Sequence, residues 1–229
     1  MLEYKKIPNT FLKGKDRQLL FNEELNLYKR KRSLDGIEHL HHWKKFIDDY
    51  KDKKINCLEI GSHEGQSAIF FLKKLLLNKD STLLCCDPWI KSHWLNVKGN
   101  ETGLCYEDIF DFNIKNNDID KKINKYYGTN DKLYIDDLFK NIEYFDIIYI
   151  DDIHTEKSTR LNIENCWKKL KVGGLMIFDD YNYKLANYDE EKAKFFCEPV
   201  KLVVDEFINN NDNIEVIHEE YQKIIKRII

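Results

Sequence analysis

Four short apolar runs, each leading into an acidic residue or an acid-bearing loop, constrain this chain more than any other feature of its sequence. They are residues 55–60 (INCLEI), 82–86 (TLLCC), 145–150 (FDIIYI) and 175–178 (LMIF). Their length and near-continuous apolar character suit strands buried on both faces. Between the first two, Ala68, Phe71, Leu72, Leu75 and Leu76 recur at helical spacing within 65–77. Further helices are predicted at 106–114, 134–142, 158–170 and 199–209, the one at 158–170 broken at Gly173-Gly174. Residues 123–127 add a strand, and 214–218 with 222–228 read as two closing strands around a short hairpin.

Strands alternating with helices imply an α/β fold on a mostly parallel sheet, here of seven strands. Right-handed crossovers make such a sheet doubly wound. The last two strands have no helix between them, so an antiparallel C-terminal edge is expected. Ahead of this pattern, Ile37, Leu40, Trp43, Phe46 and Ile47 recur at helical spacing. Residues 1–50 are therefore read as an N-terminal helical extension and 51–229 as the principal domain, a size that one α/β unit fills. The Lys29-Arg30-Lys31-Arg32 cluster reads as a solvated face. His39, His41 and His42 do not copy a zinc spacing.

The net charge is −3, with 34% charged residues of mixed sign. No global basic field favours nucleic acid as a partner. The six cysteines lack metal or redox spacing and read as small buried hydrophobes of a reducing compartment. MLEYKKIPNT has no apolar core suited to a signal peptide, and no run approaches the ~20 residues of a membrane span. The expectation is a cytoplasmic, non-membrane protein, with a homo-oligomer left open.

Ligands of open α/β sheets bind beyond the carboxyl ends of the strands. After the first strand stands Glu59-Ile60-Gly61-Ser62-His63-Glu64-Gly65-Gln66-Ser67. Gly61 and Gly65 permit a tight turn and close approach of a ligand. A dinucleotide fingerprint wants further glycines where His63 and Gln66 stand, which disfavours a nicotinamide oxidoreductase. Glu59 repels a pyrophosphate but attracts an ammonium or sulfonium, and Ser67 can donate to a carboxylate; together they suit an amino-acid zwitterion. An ordinary strand–helix turn is the plainer alternative. Asp87 follows the second strand at the position that grips ribose hydroxyls. Pro88 and Trp89 offer flat faces to a base, and Thr129 follows the third strand near the base's other edge.

Asp151-Asp152-Ile153-His154 follows the fourth strand, and Asp179-Asp180-Tyr181-Asn182 the fifth. If those strands are neighbours, the carboxylates converge and repel unless protons or a cation intervene. A hard divalent cation such as Mg²⁺ is the economical solution. Helix capping and solvated loop acids are the competing explanation.

With these residues in view, the chain resembles class I S-adenosylmethionine-dependent methyltransferases. LEIGSHEGQSA follows the pattern of catechol O-methyltransferase-like enzymes. FDIIYIDDIHT and LKVGGLMIFDDY resemble the metal-linked macrolide and sugar O-methyltransferases. The resemblance implies a Rossmann-like domain in which Glu59, Gly61, Ser62, His63, Gly65, Ser67, Asp87, Trp89, Thr129 and Asp151 contact S-adenosylmethionine. It places Asp151, Asp179 and Asp180 on a divalent metal. Asp151 and His154 become the catalytic candidates, His154 as a base whose ordinary pKa lies near neutrality. Asp152-Ile153 departs from the group's Asp-Gly-Asp-His, and Tyr181-Asn182 stands where a histidine is usual. The implied reaction is O-methylation of a small hydroxylated acceptor. Metal-independent N-, protein or RNA methylation and a non-catalytic cofactor-binding module are the alternatives.

Overall fold

Period-two alternation along the apolar runs sorts their side chains onto two faces of one sheet. The structure, a computed structural model, describes residues 2–5, 19–22, 27–30, 43, 46, 48–89, 106–117, 122–128, 143–182 and 198–229, the first three ranges as backbone only. Strands β1 (Leu2–Lys5), β2 (Leu19–Asn22) and β3 (Leu27–Arg30) form a small antiparallel sheet in that order. The helical reading of residues 1–50 is therefore corrected over these three segments. Each is only four residues long, and pairing satisfies backbone groups that a helix so short leaves open.

The principal sheet is built from β4 (Asn56–Ile60), β5 (Thr82–Asp87), β6 (Ile123–Tyr127), β7 (Phe145–Ile150), β8 (Leu170–Phe178), β9 (Ile214–Glu219) and β10 (Lys223–Arg227). Their order is β6-β5-β4-β7-β8-β10-β9. The pairs among β4 to β8 are parallel, and β10 runs antiparallel to both β8 and β9. The antiparallel strand thus lies just inside the edge. The chain builds outward from β4 to β6, then returns to lay β7 on the other side of β4. That reversal is the topological switch point, where an open α/β sheet opens a crevice.

Helices α1 (Gln66–Phe70), α2 (Tyr106–Asn116), α3 (Glu156–Trp167) and α4 (Glu198–Asn209) cover the two faces. On one face Cys57, Ile147, Tyr149 and Ile177 pack with Ile69 and Phe70 of α1, Phe110 of α2, and Trp43. On the other, Leu58, Ile148, Met176 and Ile225 pack beneath Ile163 of α3 and Val203 and Val204 of α4. Past Phe70 the first helix widens, and Leu76 N–H donates to Phe71 O across five residues at 2.8 Å.

Gly173-Gly174 does not stop a helix, as the sequence suggested. Helix α3 ends at Trp167, and β8 already runs from Leu170. Gly173 adopts φ +82° where the β7–β8 register shifts, between the Phe145–Leu170 and Ile147–Leu175 pairs. Its carbonyl accepts the Tyr50 hydroxyl at 2.8 Å. The predicted helix at 134–142 and most of the helical spacing over 37–47 lie outside the described residues. Among the described residues no helix is long and apolar enough to cross a membrane.

Candidate functional site

The loops leaving β4, β5, β7 and β8 meet at the carboxyl edge of the sheet. His63 (φ 46°), Trp89 (35°), His154 (56°) and Asp180 (54°), one in each loop, hold left-handed backbone. Such conformations cost about 1–3 kcal/mol each and persist where surrounding structure imposes them.

The loop after β4 is pressed against the loop after β7. Gly61 has φ +89°, and a Cβ there would stand 1.8 Å from the Asp151 carbonyl oxygen. Gly61 N–H donates to Cys86 O at 2.8 Å, and Asp151 N–H to Ile60 O at 2.9 Å. The sequence suggested that this glycine makes room for a ligand; the first thing it makes room for is the chain itself.

Glu59 is fully buried. It accepts hydrogen bonds from the Ser67 hydroxyl and, at 3.4 Å, from the Cys85 thiol. Burial raises its carboxyl above the usual range, partly offset by the neighbouring Ser67, Ser62 and Cys85 side chains. Its hydrogen-bond partners are neutral groups, which leaves a buried carboxyl suited to a ligand's cationic group. Ser67 is engaged with Glu59 and does not stand free for a carboxylate. Asp87 accepts from His63 N–H at 2.9 Å and from Trp89 N–H at 2.8 Å. Burial raises its carboxyl and these two bonds lower it. Each oxygen keeps a lone pair, as a ribose hydroxyl requires.

Trp89 differs from its expected role as an open platform. Its ring is 5% exposed, lies against Phe110 and Tyr127 at 5.0 and 5.5 Å, and has Lys125 Nζ 4.8 Å from its centroid. Its indole N–H donates to His63 O at 3.0 Å. The His63 ring lies 3.6 Å from that of Tyr106. Thr129 lies outside the described residues.

Across the switch point, Asp151, His154 and Asp180 each bring one donor atom within 4.8 Å of the others. His154 Nε2 is 2.5 Å from Asp180 Oδ2 and 3.7 Å from Asp151 Oδ1, without the alignment of a hydrogen bond. Burial lowers the His154 pKa, but Asp180, with Asp179 and Asp152, outweighs it and raises the imidazole overall. Asp151 keeps 34% of its side chain accessible. Burial, then Asp179 and Asp180, holds its carboxyl well above the ordinary range. Two carboxylate oxygens and an imidazole nitrogen in mutual reach fit a divalent cation, which would relieve that repulsion.

This grouping differs from the one read in the sequence. His154 joins Asp151 and Asp180, while Asp179 turns aside. Asp179 accepts from Tyr149 OH at 2.8 Å and from Gln222 Nε2 at 2.6 Å. Burial and neighbouring Asp180 push its carboxyl up to about 6. Asp152 serves α3, accepting from the Ser158 hydroxyl and, at 3.0 Å, from Asn162 Nδ2. Thr155 caps that helix through Ser158 N–H at 3.2 Å. Tyr149, Tyr221 and Gln222 were missed by sequence reasoning. Tyr149 alone left a signal, as the one polar-tipped residue in the middle of an apolar strand, two positions before Asp151.

The sheet order, the glycine loop after the first principal strand and the acid after the second define the class I S-adenosylmethionine-dependent methyltransferase fold. A family profile described as a methyltransferase domain matches residues 58–181. That is more than half of the chain, and the chain belongs to this methyltransferase family. Among solved structures, an O-methyltransferase from Bacillus cereus in complex with SAH is 14% identical with a TM-score of 0.59, covering 85% of this chain and 82% of that one. MycE methyltransferase, in complex with Mg, SAH and mycinamycin VI, is 17% identical with a TM-score of 0.53, over 82% of this chain and 49% of that one. An rRNA methylase from Streptococcus thermophilus is 11% identical with a TM-score of 0.55, over 83% and 96%. At these identities the likeness is one of fold. A curated relative, the ATP synthase gamma chain of Campylobacter lari, is 31% identical over 134 residues, 47% of this chain and 45% of that one. The chain spans less than half the length of that relative.

Proposed function

We propose that the protein transfers the methyl group of S-adenosylmethionine to a hydroxyl oxygen of a small molecule, with a divalent cation held by Asp151, His154 and Asp180. The observation that carries this reading is the packing of Gly61 on Asp151: it sets the donor-binding loop beside the three-residue donor group. Methyl transfer from a sulfonium needs an in-line nucleophile, so alignment supplies much of the catalysis. Glu59 meets the ammonium of the donor and Asp87 its ribose. The cation, when bound, would supply Lewis acidity that lowers the pKa of an acceptor hydroxyl, so that its proton can pass to solvent water as the oxygen takes the methyl group. His154 serves this group as a donor atom, in place of the role of free base. Residues 51–229 form the methyltransferase unit in this reading.

The likeness to MycE, whose complex contains Mg and SAH, supports it. RNA methylation has the fold of an rRNA methylase on its side, but a net charge of −3 and an acidic site rim suit a polyanion poorly.

Radiolabelled S-adenosylmethionine offered with a panel of hydroxylated small molecules tests the reading. Label is expected in an ether-linked product, suppressed by EDTA and restored by Mg²⁺ or Mn²⁺. Transfer to RNA or to nitrogen acceptors, undiminished by EDTA, contradicts it. Asp87→Ala is expected to weaken S-adenosylhomocysteine binding by about 1–3 kcal/mol, since a charge-assisted acceptor is lost. Calorimetry showing wild-type affinity in that variant removes Asp87 from the ribose.

A further inference from the structure

We infer that Tyr221 and Gln222, in the turn between β9 and β10, are positioning residues that orient the Asp179-Asp180 pair; the inference rests on reading Asp151, His154 and Asp180 as a cation site. Strand register brings the four residues together. β10 pairs with β8 antiparallel, with Lys223 opposite Phe178. Continuing that register one step sets Gln222 opposite Asp179, and a second step sets Tyr221 opposite Asp180. Those are the pairs that bond: Gln222 Nε2 donates to Asp179 Oδ1 at 2.6 Å, and the Tyr221 hydroxyl donates to Asp180 Oδ1. Asn182 N–H donates to Tyr221 O at 3.0 Å and ties the two backbones just beyond the ladder.

Each bond selects an orientation. Tyr221 occupies Asp180 Oδ1, leaving Oδ2 as the oxygen 2.5 Å from His154 Nε2. Asp180 also holds φ +54°, so its placement needs external support. Gln222 is 2% exposed, and its amide cannot turn. Its Oε1 accepts the indole N–H of Trp43 at 2.5 Å. Indole only donates, so the Gln222 NH₂ is left to face Asp179. The other oxygen of Asp179 accepts Tyr149 OH at 2.8 Å. Asp179 is thus fixed by a bond on each oxygen, while its neighbour Asp180 keeps Oδ2 toward His154. Groups that hydrogen-bond ligating carboxylates fix their geometry, and their loss commonly costs 10- to 100-fold in metal affinity. The network also runs from the site to Trp43, outside the principal sheet.

Mn²⁺ alone is titrated by calorimetry into the full chain and into Tyr221→Phe, Gln222→Leu and Asp151→Asn, with S-adenosylhomocysteine affinity measured in parallel. Tyr221→Phe is expected to raise the Mn²⁺ Kd roughly 10- to 100-fold and Gln222→Leu, which releases Asp179 beside Asp180, to raise it by a smaller factor; both leave S-adenosylhomocysteine affinity within about threefold, which general loosening of the fold does not do. Wild-type Mn²⁺ affinity in both variants, with Asp151→Asn deficient, overturns the positioning role alone. Wild-type Mn²⁺ affinity in Asp151→Asn overturns the cation site beneath it. Parallel losses of Mn²⁺ and S-adenosylhomocysteine affinity in both turn variants reduce their role to folding and also overturn the inference.

Discussion

Asp151→Ala is expected to lower methyl transfer by about 10³-fold or more while leaving the protein as stable as the wild type or slightly more so. The two effects have opposite signs for one reason. Asp151 carries its carboxyl well above the ordinary range because burial, Asp179, Asp180 and Glu59 all oppose its charge. Removing it relieves repulsion in the metal-free protein. The backbone contacts of Asp151, through its carbonyl to Gly61 and its N–H to Ile60, survive the substitution. What is lost is one of three donor atoms, and the Lewis acidity of a bound cation is worth several kcal/mol in a transition state. A thermal melt and a methyl-transfer assay on one preparation read both effects. A variant that is clearly less stable, with turnover intact, contradicts this view of the residue.

Gly61→Val is expected to be the most disruptive single substitution in the loop after β4. A Cβ at this position meets a backbone oxygen at 1.8 Å, and φ is +89°. Neither strand end can withdraw, because each is held by the parallel β4–β7 ladder. Strain and collision together place the cost at about 3–5 kcal/mol. For a chain of this size that lowers Tm by roughly 6–20 °C. S-adenosylhomocysteine binding should be lost as well, since the loop can no longer close on Asp151. Differential scanning calorimetry checks the first effect. A Tm within 1 °C of wild type shows that the two loops do not pack in this way.

The fold was legible because its signals are periodic and local. The strands at 55–60, 82–86 and 145–150 alternate onto two faces, and the apolar residues of 65–77 keep one side of a helix. Gly173-Gly174 misled because a glycine pair marks a helix stop and a break in strand register equally well, and only the pairing of β7 against β8 decides. The N-terminal strands were not legible, since segments of four residues carry too little pattern to show a period. In the site, the acids after successive strands were visible, but their division of labour was not. That Asp152 bonds to side chains of α3 depends on Ser158 and Asn162. Whether Asp179 or His154 joins Asp151 and Asp180 depends on Tyr149 and Gln222. Gln222 lies 43 positions along the chain from Asp179 and is brought to it by the insertion of β10 beside β8. Trp89 looked like an open platform because aromatic character is written in the sequence and burial by Phe110 and Tyr127 is not.

Titrating S-adenosylhomocysteine into the protein by calorimetry, with NAD as the control nucleotide, tests whether the β4–β7 switch point binds S-adenosylmethionine. One site per chain is expected for S-adenosylhomocysteine, weakened in Asp87→Ala, with no heat from NAD. Binding of NAD, or no S-adenosylhomocysteine binding with or without Mg²⁺, contradicts it.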